Sequence, residues 1–123
     1  RVEFPGWLGT QAIQELVSQC RVGVFPSRVE SFGLSVVEAM ASGLPIVAAR
    51  GGAIPENVEN GVTGTLVPTE DSDALAAALV AALKNSEHAE TLAREAWRVT
   101  RQKFSWDRAA DQMIELYRSV RKR

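Results

Sequence analysis

Apolar positions along the chain change period several times, and each change marks an element. From Thr10, a plausible cap, Ile13, Leu16, Val17 and Cys20 recur at helical spacing and give a helix with one apolar face. The run 22–25, VGVF, is short and rich in branched and aromatic residues, which predicts a strand buried on both faces. Ser27 to Gly33 reads as a loop and Leu34 to Ser42 as a helix, stopped by Gly43 ahead of Pro45. Ile46 to Ala49 is a second strand, Gly51 and Gly52 a turn, Ile54 to Val58 a short helix closed by Asn60 and Gly61, and Thr65 to Val67 a third strand. Val2 to Phe4 is a further candidate strand, stopped by Pro5 and Gly6.

Short apolar strands alternating with helices predict an α/β fold: an open, Rossmann-like parallel sheet with right-handed crossovers and helices on both faces. After Pro68 the pattern becomes wholly helical. Asp71 to Asp73 caps the alanine-rich DALAAALVAALK, Ser86 opens a helix to about Lys103, and Ser105 opens a last one from Trp106 to about Val120, with Met113, Leu116, Tyr117 and Val120 apolar. Trp97, Phe104 and Trp106 are expected to pack these C-terminal helices on the domain, with Trp7 more exposed in its Pro-Gly loop.

The length of 123 residues suits a single domain, 1–123, with no linker or low-complexity stretch. A net charge of -1, with 46% hydrophobic and 24% charged residues, gives no electrostatic case for nucleic-acid binding. The exception is the basic tail from Arg118 to Arg123, RSVRKR, read as a solvated helix end with contact to an anionic membrane surface as the alternative. Cys20 is the only cysteine, so no internal disulfide forms, and a reducing cytoplasm is the simplest setting. No stretch approaches the roughly 18 apolar residues of a membrane span. No metal-ligand cluster is visible, and the lone His88 is assigned no catalytic role.

Candidate chemistry concentrates between Phe25 and Gly52. In an open parallel sheet, ligands sit beyond the C-terminal strand ends, where loops lead into helix N-termini. Phe32, Gly33 and Leu34 would present unpaired amides at the positive end of a helix dipole, and Gly33 leaves room for a phosphate. Glu38 lies about 6 Å further along the axis, near the distance from a nucleotide's phosphate to its ribose hydroxyls, and a carboxylate accepts two hydroxyl hydrogen bonds well. It is either a ribose clamp or simply a partly exposed helical glutamate. Glu30, in the loop before the helix, either faces the sugar side of such a ligand, opposing charge at an anomeric carbon, or is only solvated. Arg28 is a weaker candidate to counter a phosphate, and Glu56 after Pro55 suits a helix start in any case.

The stretch PSRVESFGLSVVEAMASGLPIVAARGGAIPENVENGVTGTLVP resembles the donor-binding half of retaining, nucleotide-sugar-dependent glycosyltransferases of the two-domain GT-B architecture, most closely glycosyltransferase family 4. The pair of glutamates with seven residues between them, FGL inside it, then EAMASGLPIVA, GG, PE and G-x-T-G-x-L-V in order, carries the resemblance, which extends from VEFPGWLG to FSW. It implies a nucleotide-diphosphate sugar as donor substrate and no cofactor. Glu30 then matches the glutamate that lies by the transferred sugar and supports catalysis. Phe32, Gly33 and Leu34 match the amides that contact the donor sugar and diphosphate, and Glu38 matches the glutamate that binds ribose. Gly51 and Gly52 match a glycine turn beside the cleft, for which a tight turn out of the strand is an equally good reading.

The resemblance also implies an upstream Arg and Lys pair and a separate N-terminal acceptor domain, neither of which can be placed in this chain. The chain is therefore expected to be the later part of a donor domain, inactive alone, in an enzyme that is cytoplasmic or peripheral to the membrane. An exposed sheet edge and apolar patch would favour self-association of such a piece. The alternative function is a non-catalytic nucleotide-binding or interaction module keeping the fold. A related epimerase is disfavoured by the glutamate spacing.

Overall fold

The computed structural model describes residues 1–121. Three parallel strands, β1 (Gly23–Phe25), β2 (Ile46–Ala49) and β3 (Thr65–Val67), lie in the order β1-β2-β3. Gly23 is in register with Ile46, and Val47 with Thr65. Helix α1 (Thr10–Gln19) precedes the sheet, α2 (Leu34–Ala41) connects β1 to β2, and the single turn α3 (Ile54–Asn57) lies between β2 and β3. Then come α4 (Ser72–Lys84), α5 (Ser86–Lys103) and α6 (Trp106–Arg121). Parallel neighbours require crossovers, and the α2 and α3 segments supply them.

Residue alternation along β2 explains its place in the centre. Ile46 and Ala48 join Val36, Met40, Ile54, Val58, Leu66 and Ala96 in one buried cluster, under α2 and α5. Val47 and Ala49 point to the opposite face and are buried too, where α4 packs on β2 and β3. Both faces are thus covered, as a parallel sheet demands. Helix α2 ends as its glycine dictates: Gly43 has φ of 75°, its amide donates to Met40 O, and the Leu44 amide donates to Ala39 O, closing the orphan carbonyls. Asp71 caps α4 by accepting from the Ala74 amide at 2.8 Å, and Asn85 caps α5 through the His88 amide.

Several expectations are corrected. Val2 to Phe4 forms no strand, and Phe4 is 92% exposed. Thr10 is the first helical residue of α1, behind a Gly9 cap that makes no side-chain bond. The apolar face of α1 is only partly used, since Ile13 and Leu16 stay exposed while Val17 reaches the core. VGVF is not buried on both faces: β1 is at the sheet edge, α4 packs on β2 and β3, and Val24 is left 38% exposed. Trp106 does not pack on the domain; it is 90% exposed, and every residue of α6 is exposed. Lys122 and Arg123 of the basic tail lie outside the described residues. Among the described residues no helix is long and apolar enough to cross a membrane.

Candidate functional site

The loop 26–33 leaves the C-terminal end of β1 and delivers the chain to α2, while the turn after β2 rises beside it at the same edge. The two are pressed together. A Cβ on Gly51 would stand 2.3 Å from the Ser27 carbonyl oxygen, and one on Gly52 would stand 2.2 Å from the Glu30 carbonyl oxygen. Real Cβ atoms do not approach so closely, so side chains at either position would push the loop away. Gly52 also has φ of +54°, a left-handed conformation that costs other residues free energy. The Ala53 amide completes the junction by donating to Glu30 O at 2.8 Å. The glycine pair is therefore the seat on which the Glu30 loop rests, beyond being a turn.

Glu30 is half-buried, and its Oε1 accepts a hydrogen bond from Ser27 Oγ at 3.0 Å, which holds the carboxylate to its own loop. Phe32 and Gly33 follow directly. The Phe32 carbonyl accepts from Asn57 Nδ2 of α3, and the Phe32 ring meets Phe104 edge-on at 5.9 Å. Gly33 is the left-handed cap of α2, with φ of +82°, and its carbonyl accepts from the Val36 and Val37 amides. No side chain caps α2, and among the described residues the amides of Gly33, Leu34 and Ser35 meet no protein acceptor. Donors left open at a helix start are ready to bind an anion.

Glu38 lies one turn into α2. Its face, with Leu34 and Ala41, is exposed, while Val36, Val37, Ala39 and Met40 fill the core. The carboxylate is thus directed away from the core, on the same side as Leu34. Arg28 is engaged otherwise than toward a phosphate: its guanidinium pairs with Glu70 at 2.9 Å, both side chains mostly exposed, which makes the contact weak. Beside the loop, Pro26, Ala49, Val67, Asp71 and Leu75 line a depression of about 210 Å³, below the ~300–1,000 Å³ of an ordinary ligand pocket. These residues form one open wall. Among the described residues no group of three or more His, Cys, Asp and Glu side chains could hold a metal ion.

Two supporting residues escaped sequence reasoning: Ser27 holds Glu30, and Asn57 holds Phe32. Phe104, expected to pack the C-terminal helices on the domain, does so by backing the Phe32 ring. Asn57 is 8% exposed, and a buried amide needs a partner, but its partner lies 25 residues away and nothing local announces it.

A family model described as glycosyl transferases group 1 matches residues 1–85. A D-inositol 3-phosphate glycosyltransferase from Saccharomonospora viridis is 43% identical over 117 residues, which cover 93% of this chain and 27% of that protein. Sucrose-phosphate synthase from Thermosynechococcus elongatus superposes with a TM-score of 0.89 at 37% identity, over 98% of this chain and 30% of that one. The Anabaena protein HepE, solved in complex with UDP and glucose, superposes with a TM-score of 0.88 at 32% identity, over 97% of this chain and 32% of its own. The chain spans less than a third of the length of these relatives. The α/β architecture with its trailing helices is that of the GT-B neighbours, and the chain belongs to the group 1 glycosyltransferases.

Proposed function

We propose that residues 1–123 are the later part of the donor-binding domain of a retaining glycosyltransferase of family 4, and that this surface is one wall of its nucleotide-sugar cleft. The observation that carries the reading is the position of Glu30 and the uncapped N-terminus of α2 on one loop, seated on Gly51 and Gly52, with Glu38 on the exposed face one turn on. HepE, which binds UDP and glucose, shares this fold.

In the proposed reaction the bond from the anomeric carbon to the donor's diphosphate breaks, and the same carbon bonds to an acceptor hydroxyl oxygen with configuration retained. The nucleoside diphosphate leaves, and its departing oxygen takes the proton that the acceptor hydroxyl loses. The amides of Phe32, Gly33 and Leu34 stabilise the charge that grows on its oxygens, because they are fixed donors needing no reorganisation. Glu30 faces the sugar and opposes positive charge at the anomeric carbon. Glu38 accepts the two ribose hydroxyls. Gly51 and Gly52 shape the cleft by holding the loop. The acceptor and the opposite wall belong to a separate N-terminal domain of the longer protein, which we place in the cytoplasm, where the single free Cys20 stays reduced.

Calorimetric titration of the chain with UDP, GDP and ADP, repeated on Glu38→Ala, tests the reading. One nucleotide is expected to bind, and the variant is expected to bind it at least tenfold more weakly. Equal binding by both proteins would remove the ribose assignment.

A further inference from the structure

Helix α3 holds the loop ahead of α2 at two points, and the two are unlike. The amide of Ala53, the cap of α3, donates to Glu30 O at 2.8 Å, and Asn57, one turn later, donates through Nδ2 to Phe32 O. The first is a backbone contact that any residue but proline could make. The second needs the side chain, and only its nitrogen can serve, because an amide oxygen would oppose the carbonyl. Asn57 is buried, so the bond is made away from water, where the loss of a partner is costly.

What this bond fixes is a direction. The Phe32 carbonyl and the Gly33 N–H belong to one planar trans peptide and point opposite ways. Asn57 lies on the interior side, where a Cβ on Gly33 would stand 3.7 Å from Asn57 Nδ2 and 3.8 Å from Ile54 Cγ1 and Val36 Cγ2. With its carbonyl drawn inward to Asn57, the peptide turns the Gly33 N–H outward, to the side where the first amides of α2 are open. The next peptide is held by the helix itself, since Gly33 O accepts from the Val36 and Val37 amides.

The Phe32–Gly33 peptide has no such help from α2. Gly33 has φ of +82° and no Cβ, so a half-turn of that peptide, which carries φ to the negative side, meets little steric resistance. The edge-on contact with Phe104 holds the Phe32 ring and leaves the peptide plane free. In the observed state a left-handed Gly33 followed by the helical Leu34 sets successive N–H groups along one concave side, which receives an anion. In the flipped state the Phe32 carbonyl would face that anion instead.

We infer that Asn57 is a positioning residue for the donor site: it selects between these two states, and so decides whether the start of α2 offers a diphosphate a hydrogen-bond donor or an acceptor. This rests on the donor-site reading of α2 and adds to it a residue that acts through the backbone.

Two substitutions of similar size separate the states. Asn57→Leu has no donor, and its flipped carbonyl reaches water. Asn57→Asp places a carboxylate there, which accepts without donating, so it repels the Phe32 carbonyl and takes the Gly33 N–H when the peptide flips. Both are expected to keep the near-ultraviolet circular dichroism of the unaltered chain. In calorimetric titration with UDP, GDP and ADP, the nucleotide that the unaltered chain binds is expected to bind about tenfold more weakly to Asn57→Leu and about 100-fold more weakly to Asn57→Asp. In the ligand-free chain, hydrogen exchange followed by NMR is expected to be fast at the Gly33 amide and about tenfold slower there in Asn57→Asp, whereas a general loosening of the fold would speed it. Undiminished binding by either variant, or a Gly33 amide that exchanges as fast in Asn57→Asp as in the unaltered chain, overturns the proposal. A chain that binds none of the three nucleotides removes the donor-site reading instead, and the hold of Asn57 on the peptide is then decided by the Gly33 exchange alone. If Asn57→Asp does not fold, binding by Asn57→Leu decides.

Discussion

Gly52 combines two constraints that are usually separate. Its left-handed φ alone would cost an alanine about 1–2 kcal/mol, as at Gly61, where φ is +77° and a Cβ would meet open space. At Gly52 the Cβ would also stand 2.2 Å from the Glu30 carbonyl oxygen, and relieving such a clash adds roughly 1–3 kcal/mol. Gly52→Ala is expected to destabilise the chain by about 3 kcal/mol in urea titration, clearly more than Gly61→Ala, and to weaken nucleotide binding by displacing the Glu30 loop. Equal losses for the two variants would mean that the loop gives way freely. Far from this site, Arg98 on α5 donates to Glu95 at 2.9 Å and holds that carboxyl below its usual range, with charge attraction adding to the hydrogen bond. A depressed folded value means that the pairing favours the fold above the ordinary carboxylate range and that its contribution is lost as pH falls through the lowered value. Arg98→Ala is expected to return the Glu95 titration, followed by NMR, upward toward that of a free glutamate, with little change in stability because the pair lies at the surface, in reach of solvent.

At the scale of elements, α2 and α5 form the seal of the core. Met40 of α2 and Ala96 of α5 are both fully buried in one cluster with β2 and β3, and the small Ala96 lets the two helices approach. Helix α6, by contrast, buries nothing. A chain ending after Phe104 is therefore expected to melt as cooperatively as the whole, whereas one ending after Asn85 loses the seal and is expected to unfold or collapse without fixed packing, both followed by near-ultraviolet circular dichroism. Much of this arrangement was legible in the sequence. Strands Ile46–Ala49 and Thr65–Val67 and helices α2, α4 and α5 announce themselves by branched runs, caps and stop glycines, because those signals act within a few residues. Glu30, Gly33 and Glu38 could be proposed for the same reason. What stayed hidden depends on partners distant in the chain. Val24 is exposed because α4, some fifty residues on, packs on β2 and β3 instead, and Trp106 is exposed because no described residue covers it. Asn57 and Phe104 support the site through contacts that no local pattern encodes.

The molecule as a whole presents one finished interior and several unfinished margins. The outer edge of β1 is unpaired among the described residues, Ile13 and Leu16 of α1 remain exposed, and the α6 stripe is bare. The chain spans 27% of the Saccharomonospora viridis relative and 30% of the Thermosynechococcus elongatus one. The sheet itself has a simpler property. Its strands stand side by side in the order in which they occur along the chain. During synthesis from the N-terminus, β2 therefore emerges to find β1 already made, and β3 finds β2, so pairing advances at the growing margin without waiting for a strand to be inserted between two others. The late step is the docking of α5 on α2, across about fifty residues, and until it occurs the apolar side of α2 is open to water and to the chaperones that recognise such surfaces.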